Sequence, residues 1–361
     1  MVIKTYTRKE LSAFIESDFY AILSKVPISP HRAVSQVHNP ALTDDDVLLW
    51  VAYENAATIG YIGVLPDRWN TPQLDAGICW LSCFWVDEKH RKGNVASTLM
   101  MAVLREHRHH LMISNFLFSL EESYFNMGIF HPVVYKNGYD YYIRARFTKL
   151  IVSKYPQLVK MEPVIAGAER LVNQVFSIWQ WLHPRLKVSP DISADLRFDE
   201  ELDEFLTTYT TQHDLNKRGA SYFKWIYDYR WVKEGKKDKN SERYFFSSVS
   251  DRFNYVPVRI YDQQQLSGFA FLKLRDNVLT VSYLYADDRY LADLASYIFN
   301  LVKTEQIDVI TCYDARLCRF FMKLNSRYIL KRKRRQPYLF PLGLSCSAEA
   351  LQEGEGDSVF T

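Results

Sequence analysis

The most constraining feature of this chain is the uncharged apolar run from Cys79 to Val86, which passes through Arg91-Lys92-Gly93-Asn94-Val95-Ala96 into a helical pattern from Asn94 to His107. An apolar strand delivered into a helix N-terminus has a chemical consequence. The first turn of a helix leaves backbone N–H groups unpaired and carries partial positive charge, so such a turn holds phosphate without needing side chains. Gly93 and Asn94 are residue types that tolerate unusual backbone angles, and Ala96 keeps the first turn thin. Arg91 and Lys92 add cationic charge at the same place.

The pattern around this run predicts an α/β chain. Apolar residues at three- and four-residue steps (Leu11, Phe14, Ile15, Phe19, Ile22, Leu23) predict a helix over 7–26, and a second helix spans 31–38 before Asn39-Pro40. Strands are expected at 47–53, 57–64 and 79–86, an extended piece at 111–119, and a strand at 139–147 after the turn signal Asn137-Gly138. A connecting helix is expected at 168–182. After Asp191 the same order returns: helices at 199–208 and 222–231, strands at 244–249, 255–261, 268–274 and 278–285, then a helix at 290–302, a strand at 308–312 and a helix at 315–324. The expected organisation is therefore an N-terminal domain over 1–150, a linker over 151–190, a second domain over 191–345 and a small, acidic, disordered tail over 346–361.

The cofactor turn resembles that of the GCN5-related N-acetyltransferase (GNAT) superfamily, whose acyl-CoA signature is Arg/Gln-x-x-Gly-x-Gly/Ala opening a helix after a strand. Arg91 matches the first position and Ala96 the last, with Asn94 where the central Gly is usual. The resemblance implies two GNAT-like domains, each a mixed, mostly antiparallel sheet flanked by helices. It assigns acyl-CoA contacts to Phe84, Trp85, Val86, Arg91, Lys92, Gly93, Asn94, Val95 and Ala96, with Phe84 to Val86 pairing the pantetheine arm. The implied reaction is acetyl transfer from acetyl-CoA to a primary amine. In the second half the matching turn reads Ala286-Asp287-Asp288-Arg289-Tyr290-Leu291-Ala292, with no glycine and two acids where phosphate would lie, so the C-terminal copy is expected to be degenerate.

Acyl transfer needs a proton acceptor for the amine and a donor for the leaving thiolate. The resembling family often takes the donor from Tyr-x-x-x-Gly-Phe. The stretch Val134-Tyr135-Lys136-Asn137-Gly138-Tyr139 carries Val134 at the Tyr position, leaving Tyr135, one residue out, as the candidate acid or a packing residue. Among Glu54, Glu121, Glu122 and His131, Glu122 is the first choice for the base. His31 and Arg32 lie in the early helices that shape acceptor sites in that family, as anion-holding residues or as a surface pair.

Other function classes are disfavoured. A formal charge of +3 over 361 residues gives no field for nucleic acid, and the run Lys331 to Arg335 reads as a solvated edge or loop face, with an anion-binding patch as the alternative. Histidines at 107, 109 and 110 lack the i, i+4 spacing of helical zinc ligands, so no metal is expected. Five cysteines without framework spacing fit a reducing, cytoplasmic compartment; with no apolar core of signal length at the N-terminus and no long uncharged apolar stretch, neither export nor membrane spanning is expected. The competing reading is a non-catalytic CoA-binding or protein-interaction module on the same fold. The oligomeric state stays open.

Overall fold

The computed structural model describes residues 1–71, 74–182, 185–189, 191–213, 215–344 and 347–361. Cys346 and the linker positions 183, 184 and 190 lie outside the described residues. The chain forms two compact units that interleave along the sequence: unit 1 is 1–136, 197–255 and 336–361, and unit 2 is 137–196 and 256–335. Consecutive domains divided near residue 150 and 190 are thus replaced by an exchange of segments.

Unit 1 opens with β1 (Val2–Thr7), which pairs antiparallel with a later strand. The long helix expected over 7–26 is two helices, α1 (Arg8–Glu16) and α2 (Asp18–Ile22), because Ser17 leaves the helical region (ψ 150°) and caps α2. Thr7 and Glu10 form a reciprocal capping box at the start of α1. Helix α3 (Pro30–Val37) starts with Ser29 as its cap and Pro30 in its first turn. Strands β2 (Val47–Glu54), β3 (Ala57–Thr71) and β4 (Leu74–Val86) form an antiparallel meander, longer than the sequence pattern implied. Helix α4 (Val95–His107) then leads to β5 (Leu111–Ser114), parallel to β4, and to the short α5 (Glu121–Phe125).

Unit 2 begins in β6 (Val134–Tyr142), followed by α6 (Phe147–Lys154), α7 (Glu162–Leu182) and β7 (Ile192–Ala194). Asn137-Gly138 sits inside β6 and is no turn. Gly138 is required because a Cβ there would collide with the Tyr313 ring and the Cys312 carbonyl. The chain returns to unit 1 with α8 (Glu200–Gln212), α9 (Ala220–Asp228) and the two-residue strands β8 (Lys233–Glu234) and β9 (Val249–Ser250); most of 244–249 is irregular. It then builds β10 (Phe253–Asp262), β11 (Gln265–Arg275), β12 (Val278–Ala286), α10 (Leu291–Thr304), β13 (Val309–Cys312), α11 (Ala315–Lys323) and β14 (Leu330–Leu339).

The strand order within each unit follows the same plan. In unit 1 the order is β1-β2-β3-β4-β5, closed by Tyr338 and Leu339 of β14; in unit 2 it is β7-β10-β11-β12-β13, closed by Tyr139 to Tyr142 of β6. Each unit's strands are antiparallel except for one parallel pair, β4 with β5 and β12 with β13, connected through α4 and α10. Each therefore takes its last strand from the other half of the sequence.

Helix α4 buries Val95, Leu99, Met100, Val103 and Leu104 on the unit 1 sheet, which contributes on the order of 10 kcal/mol of apolar burial. The close approach needs Gly60 on β3, where a Cβ would stand 2.9 Å from Val95 Cγ1.

The tail is the largest departure from the expectation of disorder. Leu351, Val359 and Phe360 are fully buried in unit 1, and Phe360 stacks on Trp231 with ring centroids 4.4 Å apart. Glu355 joins Asp67 on the buried guanidinium of Arg218, which also lies 4.3 Å over the Tyr222 ring. Small, acidic composition hid the tail's order: a buried arginine requires carboxylates, and the tail supplies one of them.

Candidate active site

The end of β4 is irregular on both sides. Against β3, Tyr61 pairs with Trp85 but Gly63 with Ser82, so β4 carries one extra residue, and Cys83 sits at φ 54° in this bulge. Against β5, pairing stops at Leu81 with Ile113. Among the described residues no strand pairs with Ser82 to Val86 on that side, which leaves a stretch of backbone donors and acceptors along Phe84-Trp85-Val86. Phe84 and Val86 face the α4 core, while Cys83 and Trp85 face the α1–α3 core.

Beyond Val86 a 3-10 turn (Glu88–His90) and the residues Arg91 to Asn94 lead into α4. Asn94 caps the helix position without a side-chain hydrogen bond, and its carbonyl accepts from Thr98 N, Ser97 Oγ and Thr98 Oγ1. No Asn94 side chain caps the first-turn N–H groups of α4, and the strand does run into a helix N-terminus as the sequence pattern implied. The backbone reason differs from the one inferred from residue types: Asn94 has φ −91° and Gly93 is not at positive φ, so the turn is a near-helical one that needs no left-handed residue. Arg91 is exposed, with Nε 3.3 Å from the Val86 carbonyl and Nη1 3.4 Å from Glu88; Lys92 is exposed beside it. Val95 is buried and Ala96 half-buried.

In unit 2 the same strand plan recurs, including a one-residue bulge at Ser282 and parallel pairing that ends at Thr280 with Thr311. The turn does not recur. Helix α10 begins directly after the 3-10 turn Asp288–Tyr290, without a counterpart of Arg91 to Asn94, and Asp293 stands in its first turn. Asp288 is engaged by Arg316 and Arg319 at 3.7 and 3.3 Å.

Arg32 is no surface residue. It is 3% exposed beneath the bulge, donating to Tyr244 Oη at 2.8 Å and Ser82 Oγ at 2.9 Å and stacking 4.0 Å over Trp231. Ser82 donates in turn to Asp357 of the tail at 2.5 Å, and Tyr244 donates to Cys83 Sγ at 3.1 Å. The adjacent Ser358 bonds Gln336 of β14 at 3.1 Å and Asn115, just past β5, so two tail residues bridge the open ends of β4 and β5. His31 points elsewhere, into a cavity of about 550 Å³ with Asp228, Tyr229, Arg230, Lys233 and Glu234. Burial, with Lys233 adding to it, pushes its imidazole down to about 4 against backbone hydrogen bonds with Trp231 and Ser248. The two neighbours in sequence thus serve different places.

Glu122 is exposed on α5. Tyr135 lies on a strand, where its hydroxyl donates to Glu121. Neither belongs to the bulge cluster. A phenol that the sequence expectations did not name stands closer to the end of β4, that of Tyr124. It is 6% exposed in the core shared by Val86 and Val95, with Phe84 and Ala96 packed against it, and burial pushes its phenol up to about 12. The signal was present: Tyr124-x-x-x-Gly128-Ile129 has the Tyr-x-x-x-Gly spacing, with Gly128 at φ 66° ending α5. Among the described residues, no three His, Cys, Asp or Glu side chains could share a metal ion, and no helix is long and apolar enough to cross a membrane.

Residues 14–126 match the model of the acetyltransferase (GNAT) family. No curated protein sequence matches the chain. Solved structures with the same fold include a conserved protein of unknown function from Enterococcus faecalis, described as a probable N-acyltransferase (TM-score 0.51, 9% identity, 93% of this chain and 72% of that one). They also include Saccharomyces cerevisiae N-myristoyltransferase with bound myristoyl-CoA (TM-score 0.51, 11% identity, 94% of this chain and 82% of that one). The chain thus shares a mixed α/β fold with these solved structures, and its residues 14–126 are similar to the acetyltransferase (GNAT) family.

Proposed function

We propose that unit 1 is an acyl-CoA-dependent N-acyltransferase that moves an acetyl group from acetyl-CoA to a primary amine. The observation that carries this reading is the unpaired, bulged end of β4 running into the uncapped N-terminus of α4. In this reading the N–H groups of Val95, Ala96 and Ser97 hold the pyrophosphate, with Arg91 and Lys92 screening its charge. The free edge of Phe84 to Val86 pairs the pantetheine amides, and a backbone N–H of the bulge polarises the thioester carbonyl.

The amine attacks, its surplus proton passes to a carboxylate, and the collapsing intermediate expels thiolate, which takes a proton from a phenol. Tyr124 is the phenol in the α4 core, and Asp357 is the carboxylate that reaches the bulge through Ser82. Glu122 and Tyr135, the residues first considered for these roles, then act as an exposed carboxylate and as the partner of Glu121. In the second unit, Asp293 and the Asp288 pairs occupy the matching turn, so a single donor site per chain is proposed.

Calorimetric titration with acetyl-CoA tests the reading, followed by free-thiol release across a panel of amines. One-to-one binding weakened about tenfold by Arg91→Ala is expected. Titration with myristoyl-CoA in parallel distinguishes a short acyl group from a long one. No binding of either donor at millimolar concentration would rule the enzyme out; binding without thiol release for any amine would favour the non-catalytic module.

A further inference from the structure

Helix α7 of unit 2 presents an apolar face that is exposed among the described residues. Val164, Leu171, Val175, Ile178 and Leu182 are 61 to 68% exposed, and Val172 and Trp179 beside them are 40% and 47% exposed. The opposite face holds the helix in place: Asn173 exchanges two hydrogen bonds with the backbone of Ala145, Glu169 accepts from Thr148 N at 2.7 Å, and Phe176 packs on the unit 2 core. The exposed face is therefore not an inward face left unfilled.

Its spacing is specific. Starting from Met161, which closes the preceding 3-10 turn and is 50% exposed, the outward positions are 161, 164, 168, 171, 175, 178 and 182. The steps are 3, 4, 3, 4, 3 and 4, three heptads of a 3.5-residue repeat. A straight helix drifts about 20° per heptad against such a repeat, so a seam that keeps it over three heptads faces another helix that supercoils with it.

We propose that this seam pairs with the same seam of a second copy of the chain, as a two-stranded coiled coil. Two observations select that occupant. Positions flanking the seam carry Ile165, Gly167, Val172, Gln174 and Trp179, none charged, so no electrostatic code rejects self-pairing or specifies a different helix. The exposed apolar side chains together offer roughly 800 Å² per copy, the scale of one side of a standard stable interface. A two-fold axis lets one surface serve both partners. A membrane surface fits poorly, since Arg170 is the single cation of α7.

Sedimentation of the full chain at tens of micromolar, with and without Leu171→Glu/Ile178→Glu, tests the pairing. The expected result is a dimer that becomes a monomer in the variant, with an unchanged far-ultraviolet circular dichroism spectrum and an unfolding midpoint that no longer rises with protein concentration as that of the native dimer does. Leu171→Cys, at the middle of the seam, should give an oxidised dimer in either helix orientation, and Ser177→Cys on the polar flank should not. A monomeric native chain, a variant that stays dimeric, or a monomer that co-sediments with anionic vesicles would overturn the proposal. Acetyl-CoA binding is unaffected by these outcomes, which keeps this test separate from that of the acyltransferase reading.

Discussion

Tyr124 and Tyr135 lie eleven positions apart, and the difference between them decides where a proton donor could stand. Tyr135 is tied to Glu121, whereas Tyr124 is buried in the core that holds Val86 and Val95. Replacing Tyr124 with Phe should lower kcat about a hundredfold with little change in KM or unfolding midpoint, and Tyr135→Phe should leave kcat within a few-fold. Equal effects from both variants would remove Tyr124 from the mechanism. His31 makes a separate prediction from its depressed pKa. The folded protein keeps the imidazole neutral down to about 4, while the unfolded chain takes up a proton near 6.5, so stability is full above pH 6.5 and is lost as pH falls toward 4. The loss amounts to about 3 kcal/mol, and His31→Gln should flatten this part of a urea-denaturation pH profile. The motif around Tyr124 was legible in the sequence. It was missed because a second Gly, at 138, stood before an aromatic residue as the family pattern asks, yet that glycine is there to clear Tyr313.

At the scale of elements, most helices and the central strands were legible because their apolar periods are strong, and the strand-to-helix turn was legible for the same reason. The edge strands were not. β1 alternates too weakly to stand out, and β14 is masked by five consecutive basic residues, Lys331 to Arg335, all exposed. The duplicated plan shows what distinguishes the two turns: α4 is preceded by Arg91 to Asn94 and has Ser97 as its third residue, whereas α10 lacks the insertion and has Asp293 there. That contrast defines an experiment in which two effects have opposite sign. Ser97→Glu should raise helix stability by about 0.5 kcal/mol through the macrodipole. The same carboxylate should repel a pyrophosphate and weaken acetyl-CoA binding at least tenfold. A variant that binds the donor normally would show that the helix terminus does not hold it.

At the scale of the whole molecule, the interleaving could not be read from sequence, because its causes are contacts between distant segments. β5 finds its last partner in Tyr338 and Leu339, and β13 finds its partner in β6. The tail follows the same logic. Arg218, 3% exposed, sits between Asp67 and Glu355, 1% exposed, and Trp80 Nε1 donates to Asp67 at 3.0 Å; these four residues come from three separate segments of unit 1. One buried cation facing two buried carboxylates already holds the Glu355 pKa above its usual value, burial outweighing the pull of Arg218. Arg218→Met leaves both carboxylates without a counter-charge in a low-dielectric interior, which should cost about 3–5 kcal/mol at neutral pH. The Glu355 pKa in the folded variant would then rise further above that of the unfolded chain. A raised carboxyl pKa favours the folded state as pH falls, so the variant should regain part of the loss between pH 7 and pH 5. Urea denaturation at the two pH values measures this, and the double variant Arg218→Met/Glu355→Leu should be more stable than Arg218→Met alone because it removes one orphaned charge. If Arg218→Met unfolds at the native urea concentration at both pH values, the arginine is not what pins the tail, and Phe360 on Trp231 becomes the contact to test.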